Sequence, residues 1–202
     1  MANPKKKKKP NRKKRKRKIV RRGSIPAVDI KPEQLLLHDR KVILFGGINI
    51  SVAKRVVTEI LALDKLDQNP IMLLINSPGG SLSAGYSIID AITGIESPVV
   101  TLVTGQACSM AGLISIAGDE RWMSRRSIWM AHDIYSGNED YATKMIYRTE
   151  HLKELQKELF SFIEKRTKLS KAELEIARNG ELWLNPEQCL KKGIVDKLLG
   201  SK

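Results

Sequence analysis

The sequence predicts an α/β fold with a largely parallel sheet and one long helix. From Lys41 onward, short apolar runs rich in β-branched residues alternate with segments of helical periodicity, which is typical of βα units. The chain has 202 residues, of which 42% are hydrophobic and 29% charged, and this composition suffices for one core of ordinary size. No apolar run approaches the roughly 18 residues of a membrane span.

The first elements are predicted as a strand and a helix. Residues 42–45 are too few for a helix of normal length, and their composition favours a strand. Ser51 is the expected N-cap of the helix that follows. Its apolar face is formed by Val52, Val56, Val57, Ile60 and Leu61.

Further strands are predicted at residues 71–75, 99–103 and 127–130, because these are also short apolar runs whose composition favours a strand. A second helix is expected after Gly79-Gly80, and a third is expected to begin near Ser109. The apolar residues of the second helix are Leu82, Ile88, Ile89 and Ile92.

The longest predicted helix covers residues 138–166 and would be about 44 Å long at 1.5 Å per residue. This exceeds what a domain of this size needs to cover its sheet, so we expect the helix to project and its apolar stripe to contact another subunit. The alternative is an internal helix broken by a loop around Glu150. The stripe consists of Met145, Leu152, Leu155, Leu159 and Phe162.

Cysteine and histidine usage excludes some classes of protein. Cys108 and Cys189 are too few for a disulfide framework, and they lack metal-ligand spacing with His38, His132 or His151. We therefore expect a reducing, cytoplasmic compartment and no metal site or cofactor. The tryptophans Trp122, Trp129 and Trp183 are expected to pack in the core or at interfaces.

Two motifs follow predicted strands, where α/β folds place their sites. In the segment Asn76-Ser77-Pro78-Gly79-Gly80, adjacent glycines allow backbone N–H groups to face an oxyanion, although a tight turn without a ligand would look the same. In residues 105–112, small residues surround Ser109 at a helix start, so its hydroxyl is either a nucleophile or a simple N-cap. The neighbouring Cys108 is expected to be a buried filler.

His132 directly follows the fourth predicted apolar strand and precedes Asp133. A lone histidine there is more often a hydrogen-bonded structural residue. Together with the hydroxyl of Ser109 and the glycine turn, however, it completes the components of acyl transfer: a base, a nucleophile and backbone donors.

These blocks resemble the ClpP family, the proteolytic subunit of the ATP-dependent Clp protease, within the ClpP/crotonase superfamily. The similarity covers residues 42–199, including the closing segment 184–196, or about three quarters of the chain. It implies the ClpP/crotonase-like fold of repeated ββα and βα units with a projecting helix. By this resemblance, Ser109 is the nucleophile, His132 the general base, and the N–H groups of Gly80 and Met110 the oxyanion hole.

The chain departs from the family at several positions. Glu181 stands where the family has the Asp of its triad, and its extra methylene still allows it to orient an imidazole; Asp133 is the weaker candidate. Asn179 and Gly180 replace an acid and an Arg that help to lock two rings together. Met72 and Leu74 replace aromatic residues of the pockets where an ATPase docks.

The resemblance implies a serine endopeptidase that hydrolyses polypeptides inside homo-oligomeric rings of the heptamer type, fed by an ATP-driven AAA+ unfoldase. One alternative is a non-catalytic ring subunit or scaffold whose basic tail binds an acidic partner. The other is a crotonase-type acyl-CoA enzyme, which would share the glycine turn and leave Ser109 without a purpose.

The N-terminus is a separate basic segment. Residues 1–22 contain 14 of the 36 Lys and Arg residues and no acid, which leaves 22 basic against 22 acidic residues from Gly23 onward. We predict a disordered tail or propeptide at residues 1–25 and the peptidase-like domain at residues 26–202. The tail either binds nucleic acid or another acidic partner, is removed by the enzyme, or only aids solubility.

Overall fold

The computed structural model describes residues 31–135 and 141–200. The predicted tail, residues 1–25, and the first residues of the predicted long helix lie outside this part. Its strands are β1 Lys41–Phe45, β2 Ile71–Ser77, β3 Val99–Cys108, β4 Glu120–Ser124, β5 Ile128–His132, β6 Glu181–Leu184 and β7 Lys197–Leu199. Its helices are α1 Pro32–His38, α2 Ile50–Leu66, α3 Leu82–Gly94, α4 Met110–Ser115, α5 Ala142–Arg166, α6 Lys171–Asn179 and α7 Pro186–Lys191.

The strands form one mixed sheet, and this confirms the predicted α/β class. Five strands lie side by side in the order β1-β2-β3-β4-β7, all in parallel. The long strand β3 pairs with β4 in its first half and with β5 near its carboxyl end, where Cys108 lies opposite Met130. Strand β6 then pairs antiparallel with β5.

The four predicted strands correspond to β1, β2, β3 and β5. Their side chains are covered on both sides of the sheet: in β2, Ile71, Leu73 and Ile75 are fully buried, and the residues between them are half-buried. Double-sided burial explains why these strands are continuous apolar runs. The short strands β4, β6 and β7 contain charged or exposed residues and were missed for that reason.

Helix α2 is present, but its predicted N-cap was wrong. Asn49, rather than Ser51, caps the helix, and its side chain accepts a hydrogen bond from the N–H of Val52 at 2.9 Å. Leu61 is 50% exposed and does not belong to the buried face. That face recurs at helical spacing and consists of Ala53, Val56, Ile60 and Leu63.

Helix α5 is continuous through Glu150, so the alternative of a broken helix was wrong. Residues 146–151 are all exposed, with Ile146 at 59% and Tyr147 at 72%. Burial begins in the second half of the helix, where Leu159, Phe160 and Ile163 join the core. The first half therefore extends beyond the packed core, as the sequence predicts.

Candidate functional site

The candidate site lies at one edge of the sheet because β2, β3 and β5 are parallel. Their carboxyl ends meet at this edge, and the pairing of Ser77 with Ala107 and of Cys108 with Met130 fixes their relative heights. The glycine turn follows β2, Ser109 follows β3, and His132 ends β5. The topology therefore brings together the three sequence blocks.

Ser109 occupies a sharp turn between β3 and α4. Its φ of 55° is in the left-handed region, which is uncommon for a residue other than glycine, and its N–H donates to the carbonyl of Met130 at 2.8 Å. It stands at the N-cap position of α4, but its side chain makes no capping bond. Instead, its Oγ lies 2.7 Å from Nε2 of His132. This is the spacing of a nucleophile and its base.

The glycine turn lies directly against Ser109. A Cβ atom on Gly79 would lie 2.6 Å from the carbonyl oxygen of Cys108 and 2.8 Å from Cβ of Ser109, so only glycine permits this approach. The turn is held by Ser77, whose buried Oγ accepts a hydrogen bond from the N–H of Gly79 at 3.1 Å. The close packing leaves little freedom in the position of the Ser109 backbone.

Two backbone N–H groups belong to residues that line the same cleft as Ser109. Gly80 forms a parallel bridge with Ile48, in which the carbonyl of Gly79 and the N–H of Ser81 are bonded to the backbone of Ile48. The N–H of Gly80 therefore points away from Ile48. Met110 is the first residue of α4, so its N–H has no acceptor within the helix. Gly80, Met110, Ser109 and His132 line one cleft of about 410 Å³. Backbone donors in such a cleft are the kind of group that binds an oxyanion.

Glu181 lies opposite His132 in the β5–β6 ladder. Directly opposed side chains of an antiparallel pair share one face of the sheet. The Oε2 atom of Glu181, however, accepts a hydrogen bond from Nε1–H of Trp183 at 2.8 Å. Within residues 31–135 and 141–200, no hydrogen bond joins Glu181 to His132. The carboxylate is near the site but is bound to the indole.

Asp133 follows His132 and has other partners. Its Oδ1 accepts from the N–H of Ile134, and its Oδ2 accepts from Nε2–H of Gln156 on α5, both at 2.6 Å. The bond from Gln156 ties the end of β5 to α5. Asp133 therefore supports the chain beyond His132 and does not hold the imidazole.

Cys108 is buried and free. Burial, together with the negative charge of Glu181, raises the pKa of its thiol, so the reactive thiolate is disfavoured. The thiol donates weakly to Oε1 of Gln106 at 3.6 Å. Both observations fit the buried filler that the sequence predicts.

Sequence reasoning assigned no part in the site to Asn76 or Trp183. Oδ1 of Asn76 accepts from the N–H of Gln106 at 3.2 Å and so links the end of β2 to β3. Gly105 has a φ of +109°, and a Cβ there would lie 2.6 Å from this oxygen. The signal for Trp183 is its position two residues after Glu181 on a strand, which places both side chains on one face.

The described part of the chain contains no helix long and apolar enough to cross a membrane. Within the same residues, no group of three or more His, Cys, Asp or Glu side chains is arranged to hold a metal ion.

The sequence is similar to a family of known proteins. A family model described as Clp protease matches residues 27–202. The chain is 30% identical to the ATP-dependent Clp protease proteolytic subunit of Streptococcus gordonii over 171 residues, 82% of this chain and 87% of that protein. It is also 30% identical over 169 residues to proteolytic subunit 2 of Treponema pallidum, covering 82% and 85% of the two chains. The match extends over nearly the whole described domain, and the chain belongs to the Clp protease family.

Proposed function

We propose that this chain hydrolyses peptide bonds with Ser109 as nucleophile, His132 as general base and Glu181 as the acid that orients His132. As a member of the Clp protease family, it is a serine peptidase of the ClpP type. The observation that carries the assignment of residues is the 2.7 Å distance between Oγ of Ser109 and Nε2 of His132. This contact joins a hydroxyl that directly follows β3 to an imidazole at the end of β5, and the two strands are paired.

The reaction follows from this geometry. As Oγ of Ser109 attacks the substrate carbonyl carbon, its proton passes to Nε2 of His132. The N–H groups of Gly80 and Met110 stabilise the negative oxygen of the tetrahedral intermediate, and one such donor contributes about a hundredfold or more to the rate. His132 then gives the proton to the leaving amine. A water molecule, activated by the same imidazole, releases the acyl group from Ser109.

The cleft indicates the kind of substrate side chain that binds beside Ser109. Its wall is mainly apolar and includes Leu82, Leu113 and Leu159. A polypeptide in extended conformation can place an apolar side chain there while its carbonyl oxygen faces Gly80 and Met110. We therefore expect cleavage after apolar residues of unfolded chains.

Assembly and location are part of the same proposal. The family and the names of its members suggest oligomeric assembly and a Clp ATPase partner. We propose heptamer-type rings in which the exposed first half of α5, including Ile146 and Tyr147, contacts other subunits. The two free, buried cysteines support a reducing, cytoplasmic location. The proposed domain, residues 26–202, is supported by the family match that begins at residue 27.

Labelling with a fluorophosphonate serine probe tests the proposal. Size-fractionated wild-type protein should react at one serine and hydrolyse a fluorogenic peptide, whereas Ser109→Ala should lose both activities by about a thousandfold or more. Glu181→Ala should react more slowly. Ser87→Ala, which changes an exposed hydroxyl of α3, is the matched control and should behave as wild type.

Two outcomes contradict the proposed roles. Full activity of Ser109→Ala would exclude it as the nucleophile. Failure of correctly assembled wild type to react would favour the second candidate, a non-catalytic ring subunit, which is motivated by the binding of Glu181 to Trp183 instead of His132. Sedimentation of the same preparation would show whether rings have formed.

A further inference from the structure

The carboxylate of Glu181 has two potential partners on one face of the sheet. His132 lies directly across the β5–β6 ladder, and opposed residues of an antiparallel pair have Cβ atoms about 5 Å apart. Trp183 lies two residues further along β6, on the same face. In this structure the indole N–H of Trp183 binds the carboxylate at 2.8 Å.

The position of the carboxylate matters because only one ring nitrogen of His132 faces Ser109. Nε2 is 2.7 Å from the hydroxyl, so Nδ1 is the nitrogen that an orienting acid has to bind. Without that acid, the imidazolium that forms during the reaction lacks an anionic partner. Glu has one methylene more than Asp, and rotation about its side-chain bonds can carry the carboxylate from the indole to the imidazole.

We infer that Trp183 is a positioning residue that limits the activity of His132 by holding the carboxylate of Glu181. While the indole N–H binds the carboxylate, the hydroxyl and the imidazole are paired but the acid is displaced. When that bond breaks, the carboxylate binds Nδ1–H and the triad is complete. This inference rests on the proposed function of Ser109 and His132.

Trp183 can be changed without disturbing the core. Its side chain is 49% exposed, whereas its strand neighbours Leu182 and Leu184 are buried. Within the described residues, β6 pairs only with β5, so Trp183 stands on an edge strand. Phenylalanine keeps the aromatic ring on this surface and removes only the N–H donor.

Other charged groups around His132 do not replace Glu181. Helix α4 contains no charged residue, and Asp133 binds Ile134 and Gln156. The Cys108 thiol is held neutral by the rise in its pKa. The acidic residues of α6 and α7 have partners of their own, in the pairs Glu175 with Arg178, Glu173 with Lys192, and Glu187 with Arg125. Besides Arg178, the other charged residues of these helices, Lys171 and Lys191, are cations and cannot act as the orienting acid.

The chain provides a matched control for Trp183. On β4, Nε1–H of Trp122 donates to Oε2 of Glu120 at 2.9 Å, with the same spacing of two residues along a strand. Trp122 pairs with Lys197 of β7, on the far side of β4 from β3. Trp122→Phe therefore removes the same kind of bond without touching the site.

The experiment compares wild type, Trp183→Phe and Trp122→Phe as full-length, assembled protein. Peptide hydrolysis and the rate of fluorophosphonate labelling are measured between pH 5 and 9. For Trp183→Phe we expect a severalfold higher kcat with an unchanged KM. We also expect the acid limb of the pH profile to move to higher pH, because a carboxylate beside an imidazole favours its protonated form. Trp122→Phe should match wild type.

A second variant identifies the group through which Trp183 acts. Adding Glu181→Gln to Trp183→Phe should abolish both the gain in kcat and the shift in the pH profile. A kcat of Trp183→Phe equal to or below that of wild type, with normal labelling of Ser109, overturns this inference alone. No labelling of Ser109 in any variant overturns the proposed function, and this inference with it.

Discussion

At the scale of single residues, the site depends on backbone in unusual conformations. A positive φ at a residue such as Ser109 costs about 1–3 kcal/mol and persists only where the surroundings enforce it. Two contacts enforce it here: the N–H of Ser109 binds the carbonyl of Met130, and Gly79 packs against the Cβ of Ser109. The position of the hydroxyl is therefore set by its neighbours.

Gly79→Ala should impair the site more than it impairs the fold. The new Cβ would meet the backbone of Cys108 and the Cβ of Ser109, and the φ of +95° strains any other residue. We expect a loss of stability above about 1 kcal/mol and a fall of about a hundredfold in kcat, because a displacement of about 1 Å is that costly. Urea unfolding and peptide hydrolysis measure the two effects.

Gly47→Ala is the control for this prediction, because a Cβ added at Gly47 would have no other atom within 4 Å. It should retain wild-type labelling and stability to within about 1 kcal/mol. If Gly79→Ala is as active as Gly47→Ala, the packing of the turn does not position Ser109.

The residues proposed to react could be named from the sequence, but the partner of Glu181 could not. Ser109, Gly80 and His132 stand in local motifs, and their meeting follows from parallel strands. Glu181 and Trp183 share a face by strand alternation alone. Which neighbour the carboxylate binds depends on side-chain torsions set by the folded surroundings, and no sequence pattern encodes these directly.

At the scale of elements, α6 and α7 hold the strand that carries Glu181. A single residue, Gly180, separates α6 from β6, and a single residue, Asn185, separates β6 from α7. Both helices begin with capping boxes, formed by Ser170 with Glu173 and by Asn185 with Gln188. Lys192 after α7 binds Glu173 on α6 at 2.6 Å and closes the unit. A capping box can be predicted from the sequence because its two residues are three positions apart. The ion pair between Lys192 and Glu173 cannot, because it depends on how the two helices pack.

Glu173→Gln should destabilise the protein in a pH-dependent way. Hydrogen bonds from Lys192 and Ser170 lower the pKa of Glu173 to about 2. A carboxyl with a lowered pKa contributes stability above its ordinary pKa of about 4.5, and this contribution disappears as the pH falls towards 2. Because the pair is partly exposed, we expect a loss of no more than about 1 kcal/mol at pH 7.

Urea unfolding of wild type and Glu173→Gln at pH 7 and pH 3 checks this expectation. The difference between the two proteins should narrow at pH 3. Glu164→Gln changes an exposed acid of α5 and should show no comparable narrowing. A difference that stays constant or grows as the pH falls would contradict the role of the Glu173–Lys192 pair.

At the scale of the whole molecule, charge is divided unevenly along the chain. The net charge is +14, and all of it arises from residues 1–22, since basic and acidic residues balance from Gly23 onward. Binding to polyanions would then belong to the tail, and catalysis to the domain. The two activities should be separable.

Removal of residues 1–25 should abolish retention on a heparin column at low salt, because it removes 14 positive charges. Peptide hydrolysis and sedimentation should be unchanged. Unaltered retention would exclude the tail as an anchor for acidic partners. Mass spectrometry of the full-length protein after incubation, compared with Ser109→Ala, would show whether the enzyme removes the segment itself.

Strand β3 pairs with both β4 and β5. This arrangement also affects which residues of the site can change during evolution. The proposed nucleophile and base stand at the ends of the neighbouring strands β3 and β5 in the interior of the mixed sheet, so a change in either backbone would disturb the central ladder. The proposed acid, Glu181, stands on the outer strand β6, which within the described residues pairs only with β5. A substitution at Glu181 should therefore disturb the sheet less than one at Ser109 or His132, and a change of acid at position 181 is the kind of divergence that this architecture permits.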